Sequence, residues 1–251
     1  MSLSTHPIRR TTASRFAIRP FEAPLGAEVV GLDLARPVEV DRLEQLRAAL
    51  RTFHVLVFRD QGHLDPADQV AFSALWGRLQ RHVLRDFALS GHPEVLVVSN
   101  VRRDGRPIGL GDAGAFWHSD LSYKARPSLG SLLLARQLPQ VGGDTLFADQ
   151  HAAWREAARS LRALLERRTA EHSYLKEYEA LRAISPWRPA LTPEQVAEVP
   201  PVWHPAVRTH PESGSRALFV NEHFTTRLAD LPEDESEAVL VETFAHQTRD
   251  E

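Results

Sequence analysis

The chain has no cysteine at all. That removes disulfides, thiolate-bound zinc, iron–sulfur clusters and cysteine nucleophiles together, and fits a reducing compartment. It has one methionine and only two lysines, Lys124 and Lys176, among 30 basic residues. The arginine bias is what codon usage alone produces, since either residue serves on a solvated helix; recognition of anions needs particular guanidinium groups, not a total. No excess of positive charge exists either. The formal net charge is −3 and the isoelectric point is near 6.5, so a nucleic-acid role has no electrostatic footing. No stretch approaches the ~20 apolar residues of a membrane span, and the start, Met1 to Arg15, lacks the apolar core of a signal peptide. We therefore expect a cytoplasmic protein with no membrane and no nucleic-acid partner.

What the chain does have is histidine, twelve in 251 residues. Any metal must then be held by imidazole and carboxylate, which favours iron, manganese, or zinc in an open site. Hydrophobic residues at 43% and charged residues at 25% are ordinary globular usage. The length suits a single domain over 16–251 behind a disordered tail, residues 1–15.

Strand-like runs dominate the middle. Phe16–Arg19, Glu28–Leu32, Val55–Phe58, Val95–Val98, Phe116–Tyr123, Leu129–Ala135, Thr145–Ala148 and Glu171–Tyr174 read as strands. Val202–Thr209 and Arg216–Asn221 read as a hairpin. Helical spacing runs from Asp41 to Phe53, from Asp65-Pro66 to Gly77, from Asp149 to Arg168 and from Pro232 to Gln247. A polar, glycine-rich loop spans Asn100 to Gly114, and a proline-rich connection spans Ser185 to Pro201. There is no βαβ regularity, so the fold class is α+β with a β-rich core, an antiparallel barrel or jelly roll with helical decoration.

The sharpest local feature is Phe116-Trp117-His118-Ser119-Asp120. On a strand, residues two apart face the same way, so His118 and Asp120 project together as an imidazole and a carboxylate. With one more imidazole they would complete the two-histidine, one-carboxylate triad that suits Fe(II). The pair alone is also what a hydrogen-bonded surface contact looks like.

Four motifs in register carry a resemblance. Trp117-His118-Ser119-Asp120 is followed by Gly142-Gly143-Asp144-Thr145, then by the run from His204 to Pro211, then by the run from Phe219 to Arg227. In this order they resemble the taurine dioxygenase (TauD/TfdA) family of Fe(II)- and 2-oxoglutarate-dependent dioxygenases, from about Gly26 onward. The resemblance implies a double-stranded β-helix (jelly-roll) core with flanking helices. It implies Fe(II), 2-oxoglutarate and O2 as cofactor and co-substrates, a small anionic organic substrate and a homo-oligomer.

By the same resemblance His118 and Asp120 match the first two iron ligands, and Thr145 matches the threonine that holds a carboxylate of 2-oxoglutarate. His82 falls where relatives place a substrate-contacting histidine. Phe224 and Tyr174 match aromatic walls of the substrate pocket. Asn100, at the mouth of the glycine-rich loop, is a further candidate. Two departures, Gly114 and Arg85, stand where taurine-specific members carry an asparagine and a tyrosine, which argues against taurine itself. Arg85 could pair with another anion or be solvated. The family's second iron histidine and its 2-oxoglutarate arginine match nothing up to Glu251, so the last strands are expected to be missing from this form. Two alternatives stay open: an inactive metal- or 2-oxoglutarate-binding domain, and a His/Asp metal hydrolase.

Overall fold

The computed structural model describes residues 16–185 and 187–249, arranged as two compact units, 16–64 and 65–249. The expected disordered tail, 1–15, lies outside the described residues. In the first unit, β1 (Ala17–Pro20) pairs antiparallel with β2 (Ala27–Val30), and β2 pairs parallel with β3 (Leu56–Phe58). Helix α1 (Val40–Phe53) makes the crossover, and His54 ends it in the left-handed region at φ 63°.

The second unit begins with α2 (Pro66–Ala74), which the sequence marks by Asp65-Pro66. Asp65 accepts from the Asp68 amide at 2.8 Å, and Asp68 returns the bond to the Asp65 amide at 3.0 Å, a reciprocal cap. Then come β4 (Ala88–Leu89) and β5 (His92–Leu96), an antiparallel pair. Inside the expected glycine-rich loop, β6 (Arg102–Arg103) and β7 (Arg106–Pro107) form a small hairpin. Asp104 and Gly105 at its tip both have positive φ, 50° and 76°, as a tight two-residue hairpin turn requires.

The remaining elements form the body of this unit. They are α3 (Gln150–Glu156), α4 (Arg159–Leu165), β8 (Thr169–His172), α5 (Tyr174–Ile184), α6 (Pro193–Ala197), β9 (Val202–Pro205), β10 (Val207–Thr209), β11 (Arg216–Leu218), β12 (Thr225–Leu228) and α7 (Glu233–Gln247). Strand β8 is central, with β12 and β9 antiparallel on either side. One core packs Trp154, Leu161, Leu165, Leu218, Leu228 and Leu240. The other, built from Val83, Leu84, Phe87, Leu110, Tyr123, Tyr174, Tyr178 and Phe224, walls the site described below.

The chain is thus α+β, as its patterning indicates, but several expected elements differ. Phe116–Tyr123, Leu129–Ala135 and Thr145–Ala148 form no strands. Residues 111–128 spend their amides in tight turns: Ser122 donates to Ser119 and Lys124 to Leu121, with Leu121 left-handed at φ 55°. Residues 129–147 run irregularly and no strand pairs with them among the described residues; Leu133, Leu138, Val141 and Leu146 are each at least 70% exposed. Alternating apolar residues make a strand only when a neighbour completes the ladder.

The expected helix Asp149–Arg168 is two helices. Ala157 and Ala158 are extended, with ψ 140° and 147°, which lets Trp154 and Leu165 reach one core. The expected strand Glu171–Tyr174 stops at His172, because Ser173 caps α5 by accepting from the Lys176 amide, so Tyr174 starts a helix. The proline-rich connection contains α6, capped by Thr192 with Gln195. The expected hairpin is β10 with β11 only; β9 joins β8 instead. No helix among the described residues is long and apolar enough to cross a membrane.

A buried polar node ties the 118–124 turns to the central sheet. His172, on β8 and fully buried, has Nδ1 3.1 Å from Ser122 Oγ, to which Asn221 donates through Nδ2, also at 3.1 Å. Burial, with the nearby His204 ring adding, lowers the His172 pKa to about 4. The unfolded chain therefore takes up a proton near pH 6.5 that the folded chain refuses, so stability falls as pH drops from about 6.5 towards 4. We expect urea unfolding at pH 5 and pH 7 to differ less in His172→Gln than in the parent, by on the order of 2 kcal/mol. Equal pH dependence of the two proteins would show that His172 is not the group responsible.

Candidate active site

His118 and Asp120 meet without a strand beneath them. The 116–124 turns bring Nε2 of His118 to 3.1 Å from Oδ1 of Asp120. The other imidazole nitrogen, Nδ1, donates to the carbonyl of Phe116 at 2.8 Å, which fixes the ring plane. Asp120 is held from its far side: Ser131 donates to Oδ2, and Ser128 donates to the Asp120 carbonyl at 3.1 Å. The contact with Asp120 raises the His118 pKa, and the contact with His118 lowers that of Asp120, so each favours the charged form of the other.

The pair lies at the mouth of a cavity of about 130 Å³. One wall is aromatic and apolar, Tyr123, Tyr174, Tyr178 and Phe224 with Leu96 and Leu110, and Asp112, Glu177 and Arg188 also line the cavity. Phe224 is positioned by Asn221, whose Oδ1 accepts from the Phe224 amide at 2.8 Å. Its ring stands edge-on to His118 at 6.2 Å and 4.8 Å from Tyr123. His82 packs edge-on against Tyr174 at 6.0 Å, and its Nδ1 accepts from the Leu84 amide at 3.1 Å. Burial lowers the His82 pKa to about 4 and does the same for His223, so both rings are neutral at pH 7. His223 stacks on Phe116 at 5.4 Å and lies 6.0 Å from His118.

Of the residues expected from sequence, His118, Asp120, His82, Tyr174 and Phe224 line this one cavity. Thr145 does not; it is exposed on the 129–147 stretch. Asn100 lines a neighbouring hollow with Trp187. Arg85 is largely exposed and pairs with Glu198. Gly114 is on the cavity wall with φ +79°, and a Cβ there would stand 4.0 Å from Cε1 of His118. An asparagine at this position would carry both a strained backbone and a side chain over the imidazole.

Sequence reasoning misses Arg188 and Asp112, which lie 76 positions apart with no pattern joining them. Arg188 is 7% exposed and grips Asp112 through Nε at 3.0 Å and Nη2 at 2.5 Å, while lying over the Tyr178 and Trp187 rings. This fork pins the glycine-rich loop to the connection after α5. Sequence reasoning also misses His223, Glu177 and the serines behind Asp120. Only Tyr123 and Phe116 carry a signal, by their closeness to His118.

As a donor set, one imidazole nitrogen and one carboxylate oxygen facing each other fit two positions around a divalent cation. No group of three His, Asp or Glu side chains among the described residues forms a fuller site.

Comparison with known proteins gives one consistent result. Residues 17–251 match the family described as taurine catabolism dioxygenase TauD, TfdA. Pentalenolactone F synthase of Streptomyces arenae is 33% identical over 233 residues, 89% of this chain and 77% of that protein. The alpha-ketoglutarate-dependent 2,4-dichlorophenoxyacetate dioxygenase of Cupriavidus pinatubonensis is 31% identical over 242 residues, 92% and 82% respectively. The alpha-ketoglutarate-dependent sulfate ester dioxygenase of Pseudomonas putida is 30% identical over 241 residues, 92% and 74%. Among solved structures, AAD-2 in complex with Mn(II) and N-oxalylglycine superposes with a TM-score of 0.71 at 26% identity, covering 94% of this chain and 81% of that one. A taurine dioxygenase from Burkholderia xenovorans gives 0.69 at 29%, covering 93% and 73%.

The Arg188–Asp112 fork lends itself to a test of how the site is held together. Asp112→Ala leaves a buried guanidinium unpaired, and we expect it to cost about 3–5 kcal/mol of unfolding free energy. Asp112→Ala combined with Arg188→Met should recover much of that loss in urea denaturation. Strict additivity of the two substitutions would mean that the pair is not coupled.

Proposed function

The chain belongs to the TauD/TfdA dioxygenase family, and on that premise we propose that it is an Fe(II)- and 2-oxoglutarate-dependent dioxygenase that hydroxylates a small anionic organic substrate. The balanced reaction joins substrate, 2-oxoglutarate and O2 and gives hydroxylated substrate, succinate and CO2. The observation that carries the reading is the pair of donor atoms, His118 Nε2 and Asp120 Oδ1, 3.1 Å apart at the mouth of an aromatic cavity. The fold reading that goes with it is the double-stranded β-helix, supported by likeness to TauD-type structures.

When bound, iron would activate O2, the oxidant, and 2-oxoglutarate would supply two of the four electrons, the C–H bond giving the other two. The chain's own residues do the rest. His118 and Asp120 hold the metal, the Phe116 carbonyl keeps the imidazole oriented, Ser131 keeps the carboxylate oriented, and Ser128 holds the Asp120 backbone. Tyr174, Phe224 and the leucines exclude water from the substrate. Arg188 is the one permanent cation among the described residues lining the cavity; Asp112 occupies its Nε–Nη2 edge and leaves Nη1 without a carboxylate. We assign it the acid group of the substrate, a sulfonate, sulfate ester or carboxylate. Neutral His82 contacts the substrate body. Thr145 is assigned a carboxylate of 2-oxoglutarate on its family motif, and Asn100 and Arg85 secondary roles at the pocket rim.

The test is 2-oxoglutarate-dependent oxygen uptake with succinate formation. His118→Ala should lower it at least about 100-fold; uptake surviving that substitution at full rate sinks the assignment. A second reading, a metal- or 2-oxoglutarate-binding domain without turnover, is favoured by the lack of a three-ligand group among the described residues. It predicts binding with no succinate.

A further inference from the structure

Tyr123 carries a hydroxyl that the chain does not use. The residue is 2% exposed, and its oxygen is enclosed without a hydrogen-bond partner among the described residues. Such a group is a standing cost that phenylalanine would avoid with the same ring contacts. Packing holds the ring firmly, 4.6 Å from Tyr174 and 4.8 Å from Phe224. Tyr178, in the same wall, differs: its hydroxyl donates to the Pro189 carbonyl at 2.8 Å. The chain therefore satisfies one phenol of this wall internally and leaves another unpaired, on a residue that lines the same cavity as His118 and Asp120. Burial also keeps the Tyr123 hydroxyl protonated, so it acts as a donor.

The free hydroxyl and the lining cation are spaced along the aromatic wall. Tyr123 lies against Tyr174, Tyr174 stacks on Tyr178 at 5.4 Å, and the Arg188 guanidinium lies over Tyr178 at 5.3 Å. A ligand reaching both would carry an acid group at one end and an oxygen acceptor further along its skeleton. We propose that Tyr123 is a specificity-determining residue whose hydroxyl donates to an ether, ester or carbonyl oxygen of the bound organic acid. This rests on the reading of the cavity as the substrate site, and it narrows the substrate to acids with a second oxygen.

The experiment compares the parent chain with Tyr123→Phe by calorimetry without oxygen, so that no turnover is needed. The probes are phenoxyacetate, 3-phenylpropanoate, in which a methylene replaces the ether oxygen, and 2-oxoglutarate. The substitution should leave the melting temperature of the free protein unchanged or raised. It should weaken phenoxyacetate about five- to tenfold and leave 3-phenylpropanoate and 2-oxoglutarate alone. Equal weakening of both aromatic acids, no weakening of either, or no binding of phenoxyacetate to the parent overturns the proposal. So does a loss confined to 2-oxoglutarate, which would give the hydroxyl to the co-substrate. A melting temperature lowered by several degrees would mean that the hydroxyl is satisfied inside the fold, and it too overturns the proposal. Hydroxyl-dependent binding in a protein that forms no succinate would leave Tyr123 as assigned and remove the dioxygenase reading instead.

Discussion

The site depends on one buried hydroxyl, that of Ser122. It sits between His172 on the central strand and Asn221 on the turn before β12. Asn221 in turn accepts from the Phe224 amide, and its own amide donates to Thr225 Oγ1 at 2.9 Å. Thus one node joins the turns carrying His118 and Asp120, the central sheet and the Phe224 ring. The node works only while His172 is neutral, because Ser122 can donate to an imidazole nitrogen only if that nitrogen is bare. The His118–Asp120 pair is exposed, yet what aims it is enclosed. That division lets solvent and ligands reach the pair without loosening its support.

Much of the framework is legible in the sequence because it is written locally. Asp65-Pro66 caps α2 within four residues, and the acidic run Glu233-Asp234-Glu235 opens α7, where it complements the helix dipole. The four family motifs are legible for another reason: their residues stand in a fixed order and spacing. His118 and Asp120 emerge by that route, although their pattern suggests a strand and the chain uses turns. The side-by-side outcome is the same because both conformations bring residues two apart close together.

What is not legible depends on partners distant in sequence. Nothing near Arg188 announces Asp112, and nothing near Asp120 announces Ser131. The apolar runs from Leu129 to Ala135 and Thr145 to Ala148 have the composition of strands, but pairing is a property of two segments and not of one. Tyr174 lines the cavity as expected but from a helix and not a strand, since a single serine cap redirects the chain at Ser173. In each instance the residue types point the right way and the long-range contact decides the outcome.

The stretch 129–147 has a consequence beyond the site. Leu133, Leu138, Val141, Leu146 and Phe147 face water on backbone that pairs with no strand among the described residues. An extended apolar segment in that state is what chaperones bind and what proteases cut first. Its backbone is open to whatever strand can complete its ladder, and solvent reaches its side chains where it does not reach the enclosed cores.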